Sequence, residues 1–139
     1  MNILVHDGVL KLADLGESKL LNTTKFLKGK TVGTPLFLSP EVIKHENYDH
    51  RVDIWALGWV LYHLATLEPP FNQNNLESLL YAIQYKQPKP VGIWYSSKLR
   101  NFIHWMLEKS KIRRPFITDL FDMFPKQYKQ QMNSLDVSI

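Results

Sequence analysis

The residues from Val52 to Thr66 constrain this chain most. Apolar side chains at Ile54, Trp55, Ala56, Leu57, Trp59, Val60, Leu61 and Leu64 surround a helical axis instead of lining one face of it. A helix of that kind cannot lie on a surface and must be enclosed by other elements. It does not read as a membrane span, because His63 interrupts the run from Ile54 to Leu67 and the run is shorter than the ~18 apolar residues a span needs. With 45% apolar and 22% charged residues, the chain can build the enclosure itself, which excludes wholesale disorder, collagen and a coiled coil. Its 139 residues leave room for one small domain.

The remaining sequence predicts one hairpin and several short helices. Ile3-Leu4-Val5 and Val9 to Ala13 are apolar runs separated by His6-Asp7-Gly8, whose Asp-Gly pair signals a tight β-turn. Residues 17 to 39 keep no period and read as a long functional loop. Ser39 as N-cap and Pro40 at the first helical position predict a turn or two of helix over Pro40–Lys44. Leu76, Leu79, Leu80 and Ile83 mark a short amphipathic helix. Leu99, Phe102, Ile103, Met106 and Leu107 mark another within Ser97–Lys109, and Leu120 and Phe121 a last one over Ile117–Met123. Pro69-Pro70 and the prolines at 88 and 90 break the chain between them. The tail after Pro125 is polar and Gln-rich. The expected fold class is α+β, mostly α.

Composition narrows the function classes. Seventeen Lys and Arg against thirteen Asp and Glu give a formal charge of +4, too mild and too dispersed for a nucleic-acid interface. No cysteine is present, which excludes a disulfide scaffold and any Cys-based zinc site. Met1 to Asp7 lacks the basic region and long apolar run of a signal peptide. The expectation is a soluble intracellular protein, cytoplasmic or nuclear, with neither nucleic acid nor membrane as a partner.

The first chemical constellation is Asn2 with Asp14. They lie symmetrically about Gly8, so a hairpin turning there returns an amide oxygen and a carboxylate to its open end. Hard oxygens of this kind suit Mg²⁺ that substrate phosphates also hold. The same two residues serve equally as a strand cap and an Asx-type turn, and spacing alone leaves both readings open.

Five ordered motifs decide between them. Lys11-Leu12-Ala13-Asp14-Leu15-Gly16 resembles the Asp-Phe-Gly segment of protein kinases, with Leu15 in the Phe place. Asn2-Ile3-Leu4-Val5 resembles the end of the kinase catalytic loop. Gly33-Thr34-Pro35-Leu36-Phe37-Leu38-Ser39-Pro40-Glu41 is similar to the end of a Ser/Thr kinase activation segment, with Ser39 replacing Ala. Asp53-Ile54-Trp55-Ala56-Leu57-Gly58 resembles the start of the central large-lobe helix, and Arg114-Pro115 the late Arg-Pro pair. Asp53 to Leu67 with Pro70-Phe71, then Asn75-Leu76, then Tyr95-Ser96-Ser97-Lys98-Leu99-Arg100, resemble the NIMA-related (NEK) Ser/Thr kinases most.

The resemblance covers residues 1–124 as a partial kinase domain, the C-terminal lobe, and leaves 125–139 as a polar tail. It implies ATP and Mg²⁺ as cofactors in a complete kinase and a protein substrate as partner. Asp14 would hold the Mg²⁺ bridging the phosphates and Asn2 the second Mg²⁺, with Leu15 and Gly16 beside the nucleotide. Thr34 would help place the acceptor hydroxyl, and Gly33 and Pro35 would shape the surface that receives the substrate. Glu41 and Arg114 would form a buried ion pair that is structural and not catalytic. Asp53 would accept backbone N–H bonds from the catalytic loop, where the plainer reading is a helix-start carboxylate. Trp55 and Trp59 read as core. Cytoskeletal association follows from the family resemblance alone.

The departures matter as much. No glycine-rich loop, strand lysine or His-Arg-Asp segment occurs in the 139 residues, so the expectation is a chain truncated at its N-terminus and inactive alone. The family phosphosite falls on Lys30, which makes Thr31 the candidate, with Thr23 and Thr24 behind it. The alternative is a catalytically dead lobe remnant acting as a binding module, its exposed apolar helix faces covered by a protein partner.

Overall fold

The computed structural model describes residues 3–13 and 35–123. Strands β1 (Ile3–His6) and β2 (Val9–Leu12) pair antiparallel. Asp7 and Gly8 form the two-residue loop between them, both at positive φ (49° and 76°), the geometry that matches the twist of the flanking strands and that Asp-Gly tolerates. The register pairs Ile3 with Leu12 and His6 with Val9. The turn is therefore centred between Asp7 and Gly8, not on Gly8, and a count outward from it no longer pairs position 2 with position 14.

A 3₁₀ turn at Pro35–Phe37 leads into helix α1 (Pro40–Ile43), and four longer helices follow: α2 (Arg51–Thr66), α3 (Leu76–Tyr85), α4 (Ser97–Met106) and α5 (Ile117–Asp122). Each start has its own chemistry. Asn75 Oδ1 accepts the Ser78 N–H at 2.8 Å and Ser96 Oγ accepts the Leu99 N–H at 3.2 Å, each filling a donor that the first helical turn leaves free. Asp119 Oδ2 accepts the Phe116 N–H at 2.8 Å at the start of α5. Ser39 precedes α1 in extended conformation, and Pro40 needs no N–H partner in the first turn.

The core forms around α2. Trp55, Trp59 and Tyr62 pack with Phe71, Leu79, Ile83, Val91, Ile103 and Leu107, while Ile54 meets Met106 and Leu120 in a smaller cluster. Helices α2 and α4 touch closely at Gly58, where an added Cβ would fall 2.7 Å from Met106 Cβ. Side-chain to backbone hydrogen bonds fasten the helices to the segments that follow them. The Tyr62 hydroxyl donates to Lys89 O at 3.0 Å, and Trp105 Nε1 to Arg113 O at 3.0 Å. The enclosure of α2 is one-sided among the described residues, since Leu57 and Leu64 remain exposed. No helix among these residues is long and apolar enough to cross a membrane.

Candidate functional site

Helix α1 places Glu41 inside the protein, and the turn after α4 carries Arg114 to meet it. The Arg113 and Arg114 N–H groups both bond Ser110 O at 3.1 Å, which closes that turn. Arg114 then donates from Nη1 to Glu41 Oε1 at 2.6 Å and from Nη2 to Glu41 Oε2 at 2.9 Å. The same guanidinium donates to Arg51 O at 2.9 Å and to Glu108 O at 3.1 Å, and lies 5.1 Å from the centre of the Trp55 ring. Both side chains are buried, at 0% and 3% exposure. A fork-to-fork bridge whose guanidinium also bonds two backbone carbonyls is the arrangement that makes a buried ion pair tolerable.

A second fork supports the first. Arg51 donates from Nε to Asp49 Oδ1 at 3.1 Å and from Nη2 to Oδ2 at 2.7 Å, and its N–H reaches Oδ1 at 2.9 Å. Burial pushes the Asp49 carboxyl up, but the Arg51 hydrogen bonds and charge outweigh it and hold the group below the ordinary aspartate range. Arg51 thus has its side chain held by Asp49 and its carbonyl held by Arg114. The segment ending in α1, the start of α2 and the turn after α4 are joined in one polar knot.

The other expected site residues fall differently. Asp53 stands in the first turn of α2 with its outer side exposed. No donor among the described residues approaches its carboxylate. Desolvation by its neighbours raises its pKa, while the His50 charge acts the other way. Trp55 and Trp59 are buried core, as their place on α2 predicts. Asn2, Asp14, Leu15, Gly16, Thr23, Thr24, Thr31, Gly33 and Thr34 lie outside the described residues. Among the described residues, no group of three or more His, Asp or Glu is placed to hold a metal ion.

Reading the sequence missed Lys109. Its Nζ donates to Ile83 O at 2.6 Å and Ala82 O at 3.3 Å, capping carbonyls at the end of α3. It also sits 3.8 Å from the Phe71 ring centre and 5.1 Å from that of Trp55. Burial lowers its pKa to about 7, with Glu108 opposing and Arg114 adding to the fall. No local pattern signals this, because its partners lie 26 and 27 positions upstream.

Residues 1–124 match the family described as Protein kinase domain. The chain is 42% identical over 130 residues to the probable serine/threonine-protein kinase nek3 of Dictyostelium discoideum, an overlap of 92% of this chain and 12% of that protein. It is 38% identical over 112 residues to the serine/threonine-protein kinase Nek5 of Homo sapiens, covering 81% and 16% respectively. It is 39% identical over 112 residues to the G2-specific protein kinase nimA of Emericella nidulans, covering 81% and 17%. The chain therefore spans less than a fifth of the length of each of these relatives.

Proposed function

Because the chain belongs to the protein kinase domain family and is similar to NIMA-related Ser/Thr kinases, we propose that it is the C-terminal-lobe part of a Ser/Thr protein kinase. In the complete enzyme it would serve transfer of the ATP γ-phosphoryl group to a protein hydroxyl, and residues 1–139 by themselves do not catalyse it. The observation that supports this reading best is the buried Glu41–Arg114 fork. It holds the end of the Gly33–Glu41 segment, on which a kinase receives its substrate, against the turn that leads to the last helix.

The proposed roles follow from phosphoryl-transfer chemistry. Asn2 and Asp14 offer one amide oxygen and one carboxylate, hard donors that fit Mg²⁺, and the bound ion would neutralise charge on the phosphates. Leu15 keeps apolar bulk beside the nucleotide, and Gly16 gives the backbone freedom next to a ligand. Thr34 orients the acceptor hydroxyl. Thr31, with Thr23 and Thr24 behind it, is the candidate for activating phosphorylation, with Lys30 beside it as a local positive charge. A cytoplasmic or nuclear site and a protein substrate complete the reading. Residues 125–139 are read from their composition as a polar tail to the kinase part.

The second reading, a dead lobe remnant that binds protein, is favoured by the apolar side chains left open on α2, Leu64 at 65% exposure and Leu57 at 38%. A radiolabelled-phosphate assay separates the two. Residues 1–139 are compared with a fusion that places the small lobe and His-Arg-Asp segment of a NEK relative ahead of them. The fusion is expected to phosphorylate a protein on Ser or Thr and to lose this with Asp14→Ala, while 1–139 shows nothing. A folded fusion without activity would favour the dead remnant. Activity of 1–139 that disappears with Asp14→Ala would overturn the claim that it is inactive alone.

A further inference from the structure

Helix α3 carries a feature that phosphoryl transfer does not use. Tyr81 and Tyr85 stand one turn apart with ring centres 5.0 Å apart, and both are more than half exposed, at 55% and 60%. A cation closes each end of this pair. Lys86 Nζ is 5.9 Å from the Tyr81 ring centre, and Lys44 Nζ, from the end of α1 packed against α3, is 5.3 Å from that of Tyr85. Neither lysine forms a salt bridge with a carboxylate among the described residues. Beside Tyr81 a shallow groove of about 400 Å³ is lined by Gln73, Glu77, Ser78, Tyr81 and Lys86.

We propose that this cation–tyrosine–tyrosine–cation surface on α1 and α3 docks an acidic peptide segment of a partner protein. Two lysines held at ring faces, with no carboxylate bridged to either among the described residues, offer positive charge at both ends of an amphipathic platform. Tyrosine gives a large contact area with few rotors to freeze, so binding across it loses little conformational freedom. Glu77 lines the groove together with Lys86 and offsets part of its positive charge. The partner's carboxylates pair with Lys86 and with Lys44, and an apolar or hydroxyl side chain packs on the tyrosine rings between them. The chain's net charge of +4 makes a second copy of itself the poorer occupant.

The test is fluorescence anisotropy on the full 139-residue chain with a fluorescein-labelled peptide of glutamates around one leucine, beside the same peptide with lysines in place of glutamates. The acidic peptide is expected to bind, the basic one not, and high salt to weaken binding. Lys44→Glu or Lys86→Glu should each weaken it by about tenfold, and Tyr81→Ala should do the same. Lys98→Glu, exposed on α4, makes the same charge change elsewhere and should leave it within about twofold. Circular dichroism of each variant shows that the fold is kept, and glutamine at the same position (Lys44→Gln, Lys86→Gln or Lys98→Gln) replaces a charge reversal that unfolds. Equal binding of both peptides, or equal loss with Lys98→Glu, would overturn the proposal. Dimerisation by sedimentation that Tyr81→Ala abolishes would overturn it in favour of a second copy as the occupant.

Discussion

Glu41 and Arg114, 73 positions apart in sequence, meet through two parallel bonds of 2.6 and 2.9 Å with both charges out of water. The bridge joins the shortest helix to the turn that follows α4, and through Arg51 O it reaches the first turn of α2. It is the only contact among the described residues in which both partners are charged and buried.

Arg114→Ala leaves the Glu41 carboxylate buried and unpaired, and is expected to destabilise the chain by about 3–5 kcal/mol. Arg113→Ala removes only an exposed arm that reaches Glu108 at 3.0 Å, so its cost should stay below about 1 kcal/mol. Arg114→Lys should not rescue, because a point charge cannot make the fork. Urea midpoints of the three variants check the order. Equal shifts for Arg114→Ala and Arg113→Ala would refute the structural role.

Gly58→Ala puts a methyl 2.7 Å from Met106 Cβ and 3.2 Å from the Met106 carbonyl carbon. Alanine is the better helix former by about 1 kcal/mol. The contact nevertheless lies against backbone and the root of a side chain, which cannot rotate away. Separating two packed helices costs about 1–3 kcal/mol, so the net effect should be destabilising. A melting temperature at or above that of the parent would show that α2 and α4 have room to move apart.

Much of this architecture was legible from apolar spacing and from prolines. Ser39-Pro40 marks the start of α1 and Pro69-Pro70 the break after α2, and the apolar spacing gives boundaries for α2, α4 and α5 within a few residues of those observed, while the caps at Asn75 and Ser96 emerge only in the structure. The pairing of Glu41 with Arg114 was legible only through family resemblance, since nothing local links two positions so far apart. The hairpin was predicted, but its register was displaced. A loop centred on one glycine and a two-residue loop using Asp7 as well look alike in sequence, and only the positive φ of Asp7 separates them. Gly58 and Lys109 were opaque as structural features because each is defined by a partner on another helix. Asn2, Asp14 and Thr34, on which the proposed chemistry rests, lie outside the described residues.

Leu67 closes α2 in the left-handed region at φ 58°, with its N–H bonded to His63 O at 2.7 Å and its side chain 82% exposed. A leucine there has the strain of a Cβ in αL without burial to offset it. Leu67→Gly relieves that strain and is expected to stabilise the chain by about 0.5–1 kcal/mol, net of the greater freedom glycine has when unfolded. Leu67→Val, β-branched in the same conformation, should destabilise it. Thermal denaturation of the pair checks this, and the opposite order would mean that the exposed Leu67 side chain makes a stabilising contact.

Lys109 makes stability depend on pH in a stated direction. Its pKa falls from an ordinary value near 10.4 in the unfolded chain to about 7 in the folded one, chiefly by desolvation. Between those values the unfolded chain binds the proton and the folded one does not, so stability rises with pH across the window. The contribution is complete above the unfolded value and is lost as pH falls through about 7. The carbonyls of Ala82 and Ile83 and the ring faces of Phe71 and Trp55 favour the ammonium form and oppose this shift. Lys109→Met keeps the apolar stem against those rings and removes the proton. The difference in urea midpoint between parent and Lys109→Met should therefore change steadily from pH 7 to pH 10, with the parent gaining on the variant as pH rises. Tyr62, whose pKa burial raises, titrates in both proteins and drops out of the difference. A difference that stays flat across the window would mean that the α3 carbonyls and the aromatic rings keep Lys109 charged in the folded chain.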